Sequence, residues 1–456
     1  MQIPLPKGLR GEENAPKQRE ILRNCYFDPS EMPTINTRPA VRLAGLAKGR
    51  CRGIGMFKDE LFMVSNDRLV KITLTYPDNE PTNNLTVTDL GQIQGDQLCQ
   101  LEAGFTALVI MVVGGKCYTY DDVNGLREIT DPLYVASVSV TYDSGRWAFI
   151  PASGDPFFWT ELNDPTNILP TSFADAEEFP DKNKAVKAKK KQIYVSGTRS
   201  IERLQYNPTL DTYQVIGGAT SSVGYVGGMC DYAETFMFIG QGGNGGFSIY
   251  AMAQDAQPVS NKTVDEILNS YNYADLEGAL GNSFRLEGAE FAVFQLPNHT
   301  LVFSGDWSLW NSGTQDETPT PWTVGFFQFC YGYIFTGDLT NRNIGIITND
   351  HEEYGQPIDG EIQTFVRTEP RSNGMIRRIF LQANSGFQDD PQTIGLQISR
   401  DGKVFGPLIY RTFGAFGDYS REISWGSPVI KMSDCAIIRL RWSGKIRLSC
   451  DGMSFE

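Results

Sequence analysis

The sequence predicts an all-β protein: a β-propeller of six or seven blades, one short inserted helix, and a C-terminal β-sandwich. Three observations support this prediction. Apolar bursts recur along residues 40–350, turn-forming residues are frequent, and the strand pattern changes after residue 355. The 456 residues include 46 Gly, 24 Pro and 12% aromatic residues, which is typical of short strands joined by tight turns. A chain of this length exceeds one ordinary core and fits two domains.

The recurring apolar bursts define the repeat. They begin at Leu61, Leu108, Trp147, Ile193, Phe236, Phe291 and Tyr333. Most are followed, after a short turn, by a second burst such as Leu69–Ile72. A repeat of about 40–45 residues with about four strands is the period of a propeller blade. The alternative is a pair of β-sandwiches with fortuitous spacing.

One helix is predicted in the longest interval, which separates the bursts at Phe236 and Phe291. Residues 260–263 open it, and Thr263 with Glu266 has the spacing of a capping box. The apolar residues that then follow helical periodicity are Val264, Ile267, Leu268 and Tyr271. We interpret this segment as an amphipathic insertion between two blades.

The chain divides into three predicted regions. Residues 1–40, rich in Pro, Arg and Glu, form an extended arm that packs on the body or on a neighbour. Residues 41–355 form the propeller and end in a polar linker around Asn349–Pro357. Residues 356–456 carry longer alternating strands, such as Ile394–Ile398 and Ala436–Trp442, which are typical of a β-sandwich.

Charge and hydropathy exclude several classes of protein. The net charge of −14 argues against a protein that coats nucleic acid over its whole surface, although a local basic patch remains open. The longest apolar run, Ala107–Gly114, is far shorter than the ~20 residues that span a bilayer. The first residues contain no apolar signal region. We therefore expect that the chain does not insert into a membrane. We also expect that it matures in a reducing compartment.

The cysteines and histidines give no sign of a metal or catalytic site. No two of the eight cysteines lie a few residues apart, so we predict scattered free thiols, no zinc and no cofactor. The two histidines, His299 and His351, stand in a turn and in the polar linker, and neither has a nucleophile motif beside it. Gly240–Gly246 lacks the Lys-Ser/Thr of a phosphate loop and predicts a turn. We predict no catalytic residues and no enzymatic activity.

A run of six lysines stands out in this acidic chain, and it is the candidate site for DNA or partner contact. Its members are Lys182, Lys184, Lys187, Lys189, Lys190 and Lys191. Four acidic residues lie just upstream: Asp175, Glu177, Glu178 and Asp181. Two interpretations stay open. The run is a solvated strand edge whose lysines discourage edge-to-edge pairing, or it contacts DNA phosphates or an acidic neighbour.

Several short motifs occur along the chain. They are Phe173–Glu177, Pro180–Asp181, Ile193–Glu202, Val264–Tyr271, Glu290–Phe291, Phe294–Val302, Asn24–Tyr26 and Arg38–Pro39, with Ser399–Gly402 and Trp425–Gly426 near the C-terminus. Together they resemble the packaged-DNA stabilisation (tail hub) proteins of short-tailed bacteriophages. The order of these motifs along most of the chain carries the resemblance, because each one alone is short and structural. The lysine run departs from the family's pattern, which leaves the role of that segment open.

The resemblance implies a ring-forming hub, expected to be a homo-hexamer, in the virion tail. Such a hub is assembled in the host cytoplasm and joins the portal-side adaptor to the tail spike or fibre and to the tail tip or needle. It also retains packaged double-stranded DNA. One alternative is a glycan-binding or glycan-hydrolysing propeller, which needs Arg and carboxylate groups converging at one end of the propeller axis. Another is a cellular scaffold.

Overall fold

Short strands account for almost all of the regular structure. The computed structural model describes residues 2–11, 19–29, 33–74, 84–174, 181–243, 245–312, 320–350, 352–367, 374–385, 392–414, 416–419, 421–426, 430–432, 435–444 and 448–456. The first five strands are β1 (Gln2–Ile3), β2 (Ile21–Arg23), β3 (Cys25–Asp28), β4 (Thr34–Thr37) and β5 (Ala40–Leu46).

Each of the next three groups of strands forms a four-stranded antiparallel sheet. Blade 1 contains β6 (Cys51–Phe57), β7 (Glu60–Ser65), β8 (Arg68–Leu74) and β9 (Leu85–Gln92). Blade 2 contains β10 (Cys99–Ala103), β11 (Leu108–Val112), β12 (Cys117–Asp121) and β13 (Gly125–Glu128). Blade 3 contains β14 (Ser137–Asp143), β15 (Arg146–Pro151), β16 (Phe157–Trp159) and β17 (Phe173–Ala174).

Blades 4 to 6 repeat this plan, with two helices between blades 5 and 6. Blade 4 contains β18 (Asn183–Lys189), β19 (Gln192–Gly197), β20 (Ile201–Asn207) and β21 (Thr212–Val215). Blade 5 contains β22 (Gly224–Tyr232), β23 (Thr235–Gln241), β24 (Phe247–Met252) and β25 (Ala256–Pro258), and then come α1 (Lys262–Asn269) and α2 (Tyr273–Glu277). Blade 6 contains β26 (Leu280–Leu286), β27 (Ala289–Gln295), β28 (Thr300–Phe303) and β29 (Trp307–Ser312), to which β30 (Thr320–Pro321) adds.

Blade 7 is completed by a strand from the start of the chain. It contains β31 (Val324–Cys330), β32 (Tyr333–Asp338) and β33 (Asn343–Thr348), and β5 pairs antiparallel with β33 as its fourth strand. The innermost strand of each blade contacts that of the next, and β31 of blade 7 contacts β6 of blade 1. The seven sheets therefore close into a ring, which confirms the predicted β-propeller and shows that it has seven blades.

The apolar bursts are continuous because both faces of each blade are buried. In β7, Leu61 and Met63 pack with Phe335 of blade 7, whereas Phe62 packs with Leu108 of blade 2. Successive side chains of a strand point to opposite faces, so a strand between two neighbours needs apolar residues at every position. The same arrangement repeats around the ring.

The insertion between blades 5 and 6 holds two helices, and the predicted capping box is wrong. The N-cap of α1 is Asn261, whose side chain accepts a hydrogen bond from the amide of Val264 at 3.1 Å. Thr263 lies inside the helix and donates its hydroxyl hydrogen to the carbonyl of Gly11. Asn261 also donates to the carbonyl of Leu9 at 2.9 Å. The polar residues at this end thus anchor the N-terminal segment as well as the helix.

The remaining strands form two larger sheets that share one hydrophobic core, and a separate two-stranded sheet. They are β34 (Glu352–Glu353), β35 (Gln356–Arg367), β36 (Gly374–Ile376), β37 (Ile379–Ala383), β38 (Thr393–Ser399), β39 (Ile409–Thr412), β40 (Ile423–Trp425), β41 (Ile430–Met432), β42 (Cys435–Gly444) and β43 (Ser449–Phe455). In one sheet β35 and β38 flank β42, with β39 and β2 at its edges; the other joins β3, β4, β43, β37 and β40, and β1 pairs with β43. Ile362 and Leu440 of the first sheet meet Ile379 and Trp425 of the second in that core.

The N-terminal strands thus belong to the same sheets as the C-terminal ones. We call these two sheets, with β1–β4 included, the C-terminal unit. The division of the chain at residues 40 and 355, with a separate sandwich after it, stays a prediction. The strand pairing adds that segments about 340 residues apart, such as Ile21–Arg23 and Glu361–Gln363, are direct neighbours. Among the described residues, no helix is long and apolar enough to span a bilayer.

Candidate functional site

The lysine run occupies the innermost strand of blade 4. Lys184, Lys187 and Lys189 belong to β18, and Lys182 precedes that strand. Lys190 and Lys191 form the turn into β19, and both have positive φ angles (52° and 60°), as the two central residues of a tight hairpin turn require. The run therefore lies along the inner edge of its blade, facing the propeller axis.

Four lysines of the run form ion pairs with carboxylates that follow in sequence. The Nζ of Lys184 lies 2.7 Å from Glu277 of helix α2. Asp231, on the inner strand of blade 5, pairs with Lys187 at 2.7 Å and with Lys189 at 3.0 Å. Lys190 approaches Glu234 to 3.3 Å. Within the described part of the chain, Lys182 and Lys191 have no ion-pair partner.

The electrostatics around Asp231 are set by these lysines. Burial raises the pKa of Asp231, but the charges of Lys187 and Lys189 outweigh burial and hold this pKa below its usual range. Burial lowers the pKa of Lys187, and the carboxylates of Asp231 and Glu102 reverse that effect and raise it. The pairs join blade 4 to blade 5, so these lysines stabilise the ring of blades. Contact with DNA or another protein stays a prediction for the run.

We expect Asp231→Asn to lower the free energy of unfolding by about 1 kcal/mol at pH 7, after allowance for solvent screening of a half-exposed carboxylate. The folded-state pKa of Asp231 is depressed, so its contribution is complete above the ordinary Asp pKa and disappears as the pH falls through the folded pKa. The deficit should therefore shrink between about pH 5 and pH 3 in urea denaturation. Asp122→Asn is the control, because Asp122 forms an exposed pair with Lys58 and, among the described residues, with no other cation. An equal deficit at every pH would contradict this assignment.

A cavity of about 580 Å³ lies at the end of the propeller axis where the inner strands begin. Its lining includes Lys182, Lys184, Gln100, Tyr225 and Glu277. Among the described residues of this lining, Glu277 is the one carboxylate, and it is already paired with Lys184. A glycosidase needs two facing carboxylates, and the described lining does not bring two together.

His299 and the eight cysteines lie in the described part of the chain, and no catalytic partner stands beside them there. The Nδ1 of His299 lies 2.6 Å from the hydroxyl of Tyr271, and burial together with Arg23 and Arg19 lowers its pKa. His351 lies outside the described residues, as do Asp175, Glu177 and Glu178. All eight cysteines are buried free thiols within strands. No group of three or more potential metal ligands occurs in the part of the chain that the structure describes.

A buried polar cluster joins the propeller to the C-terminal unit, and the sequence did not predict it. Arg38 donates to the side chain of Asn24 at 3.0 Å and to the carboxylate of Glu353. Glu353 also accepts from the indole of Trp322 at 2.9 Å and from the hydroxyl of Ser312 at 2.6 Å. The Arg38 guanidinium lies 5.0 Å from the centre of the Trp322 ring. We call these residues the junction cluster.

Asn24 extends the junction cluster into the C-terminal unit. Its amide group donates to the carbonyl of Asp359 at 2.7 Å, and its side-chain oxygen accepts from the backbone amide of Asn311 at 2.9 Å. Asn24 has a positive φ of 52°, a conformation that Asn tolerates better than most residues. The sequence motifs Asn24–Tyr26 and Arg38–Pro39 therefore have a structural explanation, since they place two buried polar side chains between blades 6 and 7 and the C-terminal sheets.

Residues 1–352 match the family described as "Bacteriophage P22 Gp10, beta-propeller". The chain belongs to this family. The match covers the whole propeller and the N-terminal strands, and its description agrees with the seven-bladed ring. The resemblance inferred from the sequence motifs is thereby confirmed.

A curated relative of the chain is the tail hub protein gp10 of Salmonella phage P22. It is 23% identical over 195 residues, which cover 39% of this chain and 41% of that protein. The matched part is thus less than half the length of the relative.

Solved structures with some similarity are unrelated in sequence. The WD40 propeller domain of Doa1 matches 68% of this chain and 97% of that domain, at 11% identity and a TM-score of 0.39. The WD40 domain of Neurospora crassa Pan2 matches 66% of this chain and 89% of its own, at 10% identity and a TM-score of 0.40. At these scores, the similarity adds no detail to the fold and says nothing about function.

Proposed function

We propose that this chain is a structural tail hub of a short-tailed phage virion. Membership of the P22 Gp10 family, with a tail hub protein as a relative, is the observation that supports this proposal. In the proposed role the chain assembles as a homo-oligomeric ring, a hexamer, beneath the portal-side adaptor. The ring carries the tail spikes or fibres and the tail tip, and it retains the packaged double-stranded DNA. It is assembled in the host cytoplasm and remains in the virion tail.

The architecture suits a rigid connector. Neighbouring blades share buried apolar cores, and the junction cluster fixes the C-terminal unit against blades 6 and 7. A rigid body of this kind offers broad surfaces to neighbours, and protein interfaces of standard size bury about 800 Å² per partner. We propose no catalytic activity, since the described lining of the axial cavity holds neither the carboxylate pair of a glycosidase nor a metal cluster.

Deletion of this gene from the phage that encodes it tests the proposal. We expect heads that package DNA and then lose it, with tails that lack spikes, because the connector between adaptor and spike is missing. DNA retention and spike content, measured by quantitative PCR of nuclease-treated particles and by electron microscopy, should return when the chain is supplied in trans. Particles that retain both DNA and spikes without the chain would refute the proposed role.

The DNA-retention assay also tests DNA contact by Lys182 and Lys191, for which the described residues supply no ion-pair partner. Lys182→Gln with Lys191→Gln removes two cations and leaves the four ion pairs to Glu277, Asp231 and Glu234 intact. If both lysines contact phosphates, the plot of log binding constant against log salt concentration for the purified chain and duplex DNA should become less steep by about 1.8. Unchanged retention and an unchanged slope would leave the run as a strand edge that stabilises the ring of blades.

A further inference from the structure

The C-terminal unit carries a positively charged sheet face that points away from its core. In the sheet that contains β2, β35, β42, β38 and β39, one row of paired residues reads Arg23, Glu361, Arg441, Gly395 and Tyr410. The residues next to them in these strands, such as Leu22, Ile362 and Leu440, lie in the hydrophobic core.

Side chains alternate between the two faces of a strand, so the row and its neighbour Arg439 share the outer face. Arg439 and Arg441 belong to β42, two residues apart, and Arg23 comes from β2. We call Arg23, Arg439, Arg441, Glu361 and Tyr410 the arginine face.

Three arginines of this face share one carboxylate. Glu361 is 1% exposed, and its oxygens lie 2.8 Å from Arg441, 3.5 Å from Arg439 and 3.6 Å from Arg23. Among the described residues, no second carboxylate lies within ion-pair distance of these guanidinium groups. The face therefore holds an excess of two positive charges in a chain whose net charge is −14.

The arginines are crowded and partly desolvated. Arg439 stacks on the ring of Phe405, with 3.4 Å between its guanidinium carbon and the ring centre. Burial, with smaller contributions from the charges of Arg441 and Arg23, lowers the pKa of Arg439 to about 10 against the opposing effect of Glu361. Like charges held this close destabilise one another, and carboxylates from outside would remove that penalty.

The face is also accessible and has the composition of a protein interface. The side chain of Arg441 is 32% exposed, and Tyr410 at the end of the row is 56% exposed. Arginine and tyrosine are enriched at interfaces and among the residues that contribute most to binding. A bound phosphate backbone fits less well, because the buried Glu361 carboxylate stands at the centre of the face.

We propose that the arginine face binds a carboxylate-bearing surface of a second copy of this chain, a proposal that rests on the ring assembly proposed above. The chain supplies a complementary surface: a cleft of about 750 Å³ whose lining includes Asp28, Glu287, Glu290 and Asp350. A two-fold contact centred on the arginine face would bring the arginines of one copy against the same arginines of the other, and the two copies would repel. The contact is therefore heterologous, and heterologous contacts that repeat with a closing rotation generate rings.

Arg441→Gln in the full-length chain tests this proposal. The substitution leaves Arg439 and Arg23 to neutralise Glu361, so folding is preserved. We expect the dissociation constant for self-association to rise about tenfold. Sedimentation velocity over a concentration series measures this constant at about 50 and 500 mM NaCl, and the higher salt should weaken wild-type association. Arg127→Gln is the matched control, because it removes the same charge from a one-to-one pair with Asp121 in blade 2.

Each outcome of the test has one meaning. Self-association that weakens with Arg441→Gln, persists with Arg127→Gln and is partly restored by Arg441→Lys supports the proposal. Equal association of all variants overturns it, as does equal weakening by both glutamine variants. Wild-type protein that stays monomeric, alone or with the other tail proteins, also overturns it. That last result leaves the tail hub role to be decided by the gene deletion, so the two proposals fail separately.

Discussion

Arg38→Met should lower the free energy of unfolding by about 3–5 kcal/mol, because it leaves the buried carboxylate of Glu353 without its cation. The guanidinium is 1% exposed and also holds Asn24 and the carbonyl of Pro39. A methionine of similar length fills the space beside the Trp322 ring but supplies none of these hydrogen bonds. The loss therefore measures the polar contacts of Arg38 rather than a cavity.

Urea denaturation, monitored by tryptophan fluorescence and by far-UV circular dichroism, measures this loss of stability. The wild-type chain should unfold in one transition by both probes, since the junction cluster couples the propeller to the C-terminal unit. The Arg38→Met variant should separate the two probes, because each unit then unfolds at its own denaturant concentration. Arg127→Gln, which breaks an exposed pair, should cost less than about 1 kcal/mol.

The double variant Arg38→Met, Glu353→Gln shows whether the unpaired charge causes the loss. Removing the charge of Glu353 takes away the main penalty of the single variant, so part of the lost stability should return. The side-chain oxygen of the substituted amide can still accept from the indole of Trp322. A double variant that is less stable than Arg38→Met by the full cost of Glu353→Gln alone would show that the two side chains act independently.

The sequence predicted the propeller because its signal is local. All seven bursts, from Leu61 to Tyr333, lie in the second strand of a blade, and most of the second bursts lie in the third strand. These two strands are central in each sheet and buried on both faces, so they are continuously apolar. The inner strands were harder to recognise. Lys184 and Lys187, for example, stand in an inner strand and interrupt its apolar pattern.

The closure of the ring could not be read from the sequence. Strand β5 pairs with β33 about 300 residues later, and Val41 lies opposite Ile347. Such pairing depends on the length and curvature of the whole ring, which no local pattern records. The N-terminal segment was predicted as an extended arm for the same reason, since β1, β2 and β4 pair with strands far along the chain, such as β35 and β43.

The two charged sites differ in how far the sequence indicated them. The lysine run was visible, but Asp231 and Glu277 were not, because they come from blade 5 and helix α2 and are adjacent only in space. The sequence did contain a pattern that could have indicated the arginine face. In β42, Arg439 and Arg441 alternate with the buried Ile438 and Leu440, a period-two pattern that marks one polar and one apolar face.

The strand that closes the ring is the place where a single substitution should do the most damage. Val41 of β5 is fully buried among residues of blades 6 and 7, which include Phe291, Trp310, Val324 and Ile347. Val41→Asp places a carboxylate in this apolar cluster, next to Glu353, whose own carboxylate already occupies the nearby cation of Arg38. An uncompensated buried charge costs about 3–5 kcal/mol, and relief of that penalty requires β5 to leave blade 7.

Release of β5 exposes the edge of β33, whose unpaired amides and carbonyls can pair with another chain. We therefore expect Val41→Asp to be recovered mainly as aggregate, with its remaining soluble fraction cleaved by trypsin near the N-terminus. Leu43→Asp is the matched control, since Leu43 stands two residues along the same strand, is 38% exposed and can keep a carboxylate in water. It should unfold within about 1 kcal/mol of the wild-type chain. If both aspartate variants are equally soluble and stable, β5 does not hold the ring closed.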